Sequence, residues 1–268
     1  MCYDVASLLN SKIKYAKHRQ ADPEYVADLE RKLEEMLRGR EPKYHANGFM
    51  HPDLLVFTND KPLEPQGFMW GLIPNWVANK AKASENINGT LNARGESIFE
   101  KPSYKESALS KRCLVYIDGF YEHHHFKGKK YPFHIAMKDE SPIAIAGLWN
   151  DWTDRETGEV INTVTLVTTT ANKIMAKIHN NPDVPEPRML VILSKEQQEE
   201  WLHPIKSEGD RKSIEKLITP FPEDLLTYHS VRRLKGKEAV GNVPQAREPF
   251  QYRELPDLFS NNELTLFD

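Results

Sequence analysis

Cysteine is scarce in this chain: Cys2 and Cys113 are the only two among 268 residues. Two thiols build neither a disulfide framework nor a four-cysteine zinc site, so the expected compartment is reducing and cytoplasmic. No apolar run approaches the ~20 residues that span a bilayer, and no transmembrane helix is expected. The start, Met1-Cys2-Tyr3-Asp4, lacks the basic-then-apolar layout of a secretory signal. An excess of one charge sign is also missing. Lys plus Arg is 36 and Asp plus Glu is 39, a formal charge of −3. Without a global basic field, any nucleic-acid contact must come from a local patch. Against these absences, 39% of residues are hydrophobic and 28% charged. That is material for a core under a charged surface, and it excludes a disordered or collagen-like chain.

Residues 21–39 carry Tyr25, Val26, Leu29, Leu33, Met36 and Leu37 at helical spacing behind Asp22-Pro23. This predicts an amphipathic helix over about 22–38 packed on the body of the domain. From Glu41 to Asn79 prolines break an aromatic stretch into short strands and loops. Cys113–Phe126 and Tyr131–Met137 read as strands flanking the turn Lys127-Gly128-Lys129-Lys130. Pro142–Trp152 and Asn162–Thr170 follow as strands, Ala171–Ile178 as a short helix and Met189–Leu193 as a buried strand. Ser194 with Gln197 matches a capping box opening a helix through Trp201. Another helix is expected from Glu208 to Ile218, and a strand at Tyr228–Leu234. No repeat or linker divides the chain. The expected fold class is α+β, one domain over residues 1–245 rich in antiparallel strands, followed by a tail over 246–268.

Four places carry candidate chemistry. Removal of Met1 by an aminopeptidase would leave Cys2 with an α-amine of pKa near ~7.7–8.0 and a thiol near ~8.5 on adjacent carbons. Such a 1,2-aminothiol attacks an aldehyde through the amine and closes a five-membered thiazolidine through the sulfur. In Leu91-Asn92-Ala93-Arg94-Gly95-Glu96 an amide suited to orienting an amine lies beside a guanidinium suited to phosphate. In Asp118-Gly119-Phe120-Tyr121-Glu122-His123-His124-His125, unbroken alternation groups Val115, Ile117, Gly119, Tyr121 and His123 on one face. Glu122 and Asp118 fall on the other, where a partly desolvated Glu122 would shuttle protons. The three histidines alternate between faces, and no partner cluster lies at metal spacing, so no metal is expected. His179, at the end of the short helix, is an imidazole suited to acid–base work or to a helix cap.

In order, Met1-Cys2, Trp70-Gly71-Leu72-Ile73-Pro74, Asn92-Ala93-Arg94-Gly95-Glu96, Asp118-Gly119-Phe120-Tyr121-Glu122, Thr168-Thr169-Thr170-Ala171-Asn172, Ile178-His179, Arg188-Met189 and Val240-Gly241-Asn242-Val243 resemble the SRAP (SOS-response-associated peptidase, or abasic-site-processing) family. The resemblance spans roughly residues 1–245. It implies a compact barrel-like domain of mostly antiparallel sheet with peripheral helices. It also implies a protein that binds abasic sites in single-stranded DNA and cross-links to the ring-opened aldehyde through Cys2. By motif, Asn92 would hold the Cys2 amine, Glu122 and His179 would move protons, Arg94 and Arg188 would hold phosphates, and Trp70 would stack on a base. Local positive charge would come from Lys111-Arg112, Lys127–Lys130 and Arg232–Lys237. The implied partner is DNA, with no cofactor and no membrane, and the protein is expected to be a monomer. The alternatives are a cysteine (auto)peptidase that removes its own Met1, with His179 as base, and a non-covalent single-stranded DNA-binding module. The chain departs from the family's Cys-Gly-Arg start, having Cys2-Tyr3-Asp4. Its Tyr44-His45-Ala46-Asn47-Gly48 replaces a Tyr-Asn-Val-Ala-Pro-like stretch, and eight residues separate His179 from Arg188.

Overall fold

Six consecutive residues, Arg112–Ile117, are buried without alternation. A strand reads this way only when both its faces are covered. The computed structural model, which describes residues 2–7, 22–39, 41–256 and 258, shows how. In chain order the strands are β1 (Asp4–Ser7), β2 (Lys43–Asn47), β3 (Asp53–Thr58), β4 (Gln66–Trp70), β5 (Asn92–Arg94), β6 (Arg112–Ile117), β7 (Gly119–Phe126), β8 (Lys129–Met137), β9 (Ile143–Thr153), β10 (Val160–Thr170), β11 (Arg188–Leu190) and β12 (Leu226–Ser230). The helices are α1 (Pro23–Leu37), α2 (Lys80–Asn86), α3 (Lys105–Ser110), α4 (Lys173–Ile178), α5 (Lys195–Leu202) and α6 (Glu208–Lys216).

Strands β4, β3, β6 and β9 pair antiparallel in that order, and β10 closes the ring. It runs antiparallel to β9 and parallel to β4, where Thr163 faces Met69 and Val164 faces Trp70. The result is a closed five-stranded barrel with β5 and β11 appended to β10. A second, antiparallel sheet has the order β12-β8-β7-β1-β2. Cys113 and Val115 pack with Phe120, Phe133 and Ile135 of that sheet. Leu114 and Tyr116 on the other face pack with Leu29 and Leu33 of α1, Trp201 of α5 and Ile214 of α6. The α+β, barrel-like architecture is the expected one.

Local signals place several elements. Asp22 caps α1 by accepting from the Glu24 N–H at 3.0 Å. Ser194 and Gln197 form the expected capping box of α5. Lys127 and Gly128 adopt positive φ of 47° and 73° in the β7–β8 turn, as a tight hairpin demands. The expected strand Cys113–Phe126 is instead two strands in different sheets, broken at Asp118, whose N–H donates to the Ala6 carbonyl. The break flips the alternation. Val115 and Ile117 share their core with Phe120, whereas Tyr121 packs on the opposite face with Ala6, Val231 and Leu234. Arg112, expected to add surface charge, is fully buried and donates to the carbonyls of Ala108, Leu109, Trp201 and His203. Desolvation lowers its pKa to about 10.

Candidate active site

The short β1 lies inside the second sheet, not at its edge, with Asp4 opposite Tyr121 of β7 on one side and Asn47 of β2 on the other. This register carries Cys2 into the core at 1% exposure. Its thiol donates to the Asp4 carbonyl at 3.3 Å and approaches the Tyr121 carbonyl at 3.8 Å. Burial, reinforced by the negative charge of Glu122, pushes the thiol pKa well up. Asn92 arrives from β5, 90 positions away, and its Nδ2 donates to the Cys2 carbonyl at 2.8 Å. The amide thus grips the carbonyl, not the nitrogen expected from the motif. Its Oδ1 is buried with no hydrogen-bond partner.

Glu122, 4% exposed, projects from the inner face of β7. His179 follows the last residue of α4, a helix started by Asn172, whose side chain accepts from the Met175 N–H at 2.8 Å. The His179 backbone N–H closes the helix on the Met175 carbonyl. The cap uses only this backbone group, and the ring points elsewhere. Its Nδ1 lies 3.1 Å from the Arg188 carbonyl and 3.9 Å from Glu122 Oε1. A carbonyl only accepts, so the Nδ1 that faces it carries a proton. Tyr3, Asp4, Arg94, Glu122, His123, Lys130, His179, Arg188 and Lys235 are among the residues lining a cavity of 450 Å³. Cys2 sits directly behind that wall, next to Tyr3 in the chain and with its thiol toward Tyr121, and Asn92 holds it there. Four residues scattered along the chain, Cys2, Asn92, Glu122 and His179, therefore meet at one place.

The remaining predicted residues fare differently. Trp70 has no face for a base: it is fully buried, and its indole N–H donates to the Leu91 carbonyl at 2.8 Å. A Cβ on Gly48 would sit 3.1 Å from its ring, so the Trp70 ring supports the turn Gly48–Met50 from beneath. Phe49 on that turn is 46% exposed and packs against Tyr3 at 4.9 Å between ring centroids. Arg188 lines the cavity, but its guanidinium is 1% exposed and bound to Glu96 at 2.7 and 2.9 Å, to Glu186 at 3.5 Å and to the Thr168 carbonyl at 2.9 Å. Its charge is thus committed to carboxylates within the fold. Arg94 is half exposed, with Glu186 at 3.8 Å. The histidine run divides between faces: His124 Nδ1 lies 2.8 Å from the Lys177 carbonyl, while His123 and His125 line the cavity. Among the described residues no three ligating groups gather for a metal.

A family model described as SOS response associated peptidase (SRAP) matches residues 14–238. The chain belongs to the SRAP family. It is 34% identical over 198 residues to the abasic site processing protein YoqW of Bacillus subtilis, an alignment covering 72% of this chain and 82% of that one. It is 32% identical over 195 residues to the abasic site processing protein HMCES of Xenopus tropicalis, covering 66% of this chain and 54% of that longer protein. Among solved structures, a crystal structure of a protein from Bacteroides thetaiotaomicron superposes with a TM-score of 0.77 at 32% identity, covering 93% of this chain and 100% of the other. Within this SRAP fold, Asp4, His45, Asn47 and Lys235 form a polar cluster beside Cys2 that the family motifs do not announce. Its members lie up to 231 positions apart, and in the sequence they show only as separate features: the Asp at position 4, the altered Tyr44–Gly48 stretch and the basic run Arg232–Lys237.

Proposed function

We propose that this SRAP protein processes abasic sites in single-stranded DNA by forming a covalent thiazolidine through the mature N-terminal Cys2. The observation that carries the reading is that Glu122 and His179 line one 450 Å³ cavity, with Cys2, held by Asn92, buried behind it and close enough to feel the Glu122 charge. A ring-closed abasic deoxyribose is a hemiacetal and does not react with an amine, so a proton must leave the anomeric hydroxyl as one reaches the ring oxygen. Glu122 and His179 supply that acid–base pair. With Met1 removed, the Cys2 amine adds to the C1′ aldehyde, and the carbinolamine expels one water to give an iminium. The thiol then loses its proton to Glu122 as sulfur adds to C1′. The net change is aldehyde plus aminothiol to thiazolidine plus water. Closing the ring removes the iminium that drives β-elimination, so the strand is shielded from cleavage. The raised thiol pKa suits this order, because the amine reacts first and sulfur second. The Asn92 Oδ1 beside the Cys2 carbonyl is an acceptor for the freed amine. Tyr3 and Phe49 replace Trp70 as the surface on which a neighbouring base stacks.

The test is direct. Protein whose intact mass lacks Met1, incubated with single-stranded DNA bearing one abasic site, gives a denaturant-stable adduct. Cys2→Ala retains an amine but no sulfur, so its adduct survives only when trapped by borohydride. An untrapped Cys2→Ala adduct in undiminished yield would overturn the proposal.

A further inference from the structure

We infer that Lys235, held at the cavity wall by Asp4, binds a phosphate of the nucleic-acid backbone. The inference rests on the single-stranded DNA reading above and names a contact that reading does not supply. Asp4 is 2% exposed and lines the cavity two residues from Cys2. A carboxylate there repels an incoming phosphate unless it is neutralised. Its Oδ1 accepts from His45 Nε2 and Asn47 Nδ2, each at 2.8 Å, and its Oδ2 accepts from Lys235 Nζ at 2.8 Å. Burial works against the charged form, but the bonds from His45 and Lys235 outweigh it and hold the Asp4 pKa below the usual carboxylate value. The pair is therefore an ion pair at neutral pH.

An ammonium has three N–H donors, and Asp4 occupies one. The Lys235 side chain is 48% exposed and lines the cavity, so the remaining donors are open to a ligand there. The backbone beneath it is fixed. The Val240 N–H closes the loop onto the Arg233 carbonyl at 2.9 Å, Arg233 pairs with Glu238 at 3.0 Å, and Gly236 takes the positive φ of 85° that the turn needs. Arg233 also donates to the Lys130 carbonyl at 2.9 Å, which ties the loop to a second lysine on the same cavity. His123, near both lysines, is not a third cation at neutral pH, because burial drops its pKa to about 4. Of the two cations the motifs point to, Arg188 is held by Glu96, while Arg94 is half exposed on the same cavity with Glu186 at 3.8 Å. Lys235 therefore supplies positive charge at the wall where β1 brings a negative one.

The experiment uses the full chain and a fluorescent single-stranded oligonucleotide carrying one tetrahydrofuran abasic analogue, which has no aldehyde and so reports binding without chemistry. Lys235→Met is expected to weaken binding roughly tenfold at 0.15 M salt and to reduce the slope of log affinity against log salt by about 0.7, the value for one phosphate contact on a single strand. Lys235→Arg restores both. The double variant Asp4→Asn/Lys235→Met separates a ligand role from a masking role, and removing both charges together keeps it folded even where Lys235→Met alone is unstable. If the double variant stays weak with the reduced slope, Lys235 contacts phosphate. If it recovers wild-type affinity and slope, Lys235 only masks Asp4 and the inference falls. Failure of the abasic-site reading is a different result: wild-type protein forming no Cys2 adduct on natural abasic DNA.

Discussion

Nδ1 of His179 stands 3.9 Å from Oε1 of Glu122, with both side chains almost fully buried at one end of a single cavity. One residue comes from the inner face of β7 and the other from the end of α4, so neither element alone brings the two groups together. The ring is oriented by the Arg188 carbonyl at 3.1 Å, and Arg188 is anchored in turn by Glu96. The Asn-Ala-Arg-Gly-Glu and Arg-Met motifs thus act partly as scaffolding for the imidazole.

Glu122→Gln keeps the shape and removes the charge. Cross-linking to abasic single-stranded DNA is expected to slow by roughly 10²-fold or more, the usual worth of a positioned general acid–base, with little change in melting temperature. The carboxylate also helps to raise the Cys2 thiol pKa. Alkylation of Cys2 followed by peptide mass against pH should therefore show its midpoint moving to lower pH in the variant. A midpoint that stays put or rises would remove Glu122 from the electrostatics of the thiol.

Gly119→Ala tests the break between β6 and β7. An added Cβ would lie 2.8 Å from the Ile135 carbonyl oxygen and 2.4 Å from His134 Nε2. The first is backbone and cannot give way cheaply. The expected loss of stability is about 1–3 kcal/mol by overpacking, read from urea unfolding. A neutral result would mean that the start of β7 can move away from β8 without cost.

Trp70→Phe and Phe49→Ala separate the buried indole from the exposed ring. The first loses the bond to Leu91 and some buried surface, an expected cost of about 1–3 kcal/mol, while the folded protein binds the tetrahydrofuran oligonucleotide as before. The second leaves stability within about 0.5 kcal/mol and weakens the same binding by about 1 kcal/mol or more, the scale of one base stacked on an aromatic ring. The opposite pattern would return the stacking role to Trp70.

Acid should destabilise the fold before its carboxylates protonate. Burial lowers the pKa of His123 to about 4 and of His134 to about 3, from an unfolded value near 6.5. Between those limits the unfolded chain binds protons that the folded chain does not, so stability falls as pH drops from about 6.5 toward 4. The slope approaches about 1.4 kcal/mol per unit for each histidine. Asp4 acts in the same sense but in a lower window: its depressed pKa contributes stability that is full above about 3.8 and is lost only as pH falls further. Denaturant unfolding of wild type and His134→Gln from pH 7 to 4 should show a shallower decline in the variant. Parallel curves would leave His134 out of the acid response.

Local chemistry is readable in the chain. Asp22-Pro23 starts α1, Ser194 and Gln197 start α5, and Lys127-Gly128 turns β7 into β8, because each signal is a contact among residues a few positions apart. The residues that meet at the cavity are legible too, through short motifs whose order resembles the SRAP pattern. Three things were decided only by the tertiary structure. The parity flip at Asp118 depends on β6 and β7 joining different sheets. The burial of Trp70 depends on β10 closing the barrel beside β4. The pairing of Lys235 with Asp4 depends on a loop 231 positions away reaching across the second sheet. Each is a matter of register and closure between distant segments, set by the joint packing of the whole core, and side-chain periodicity within one segment carries no trace of it.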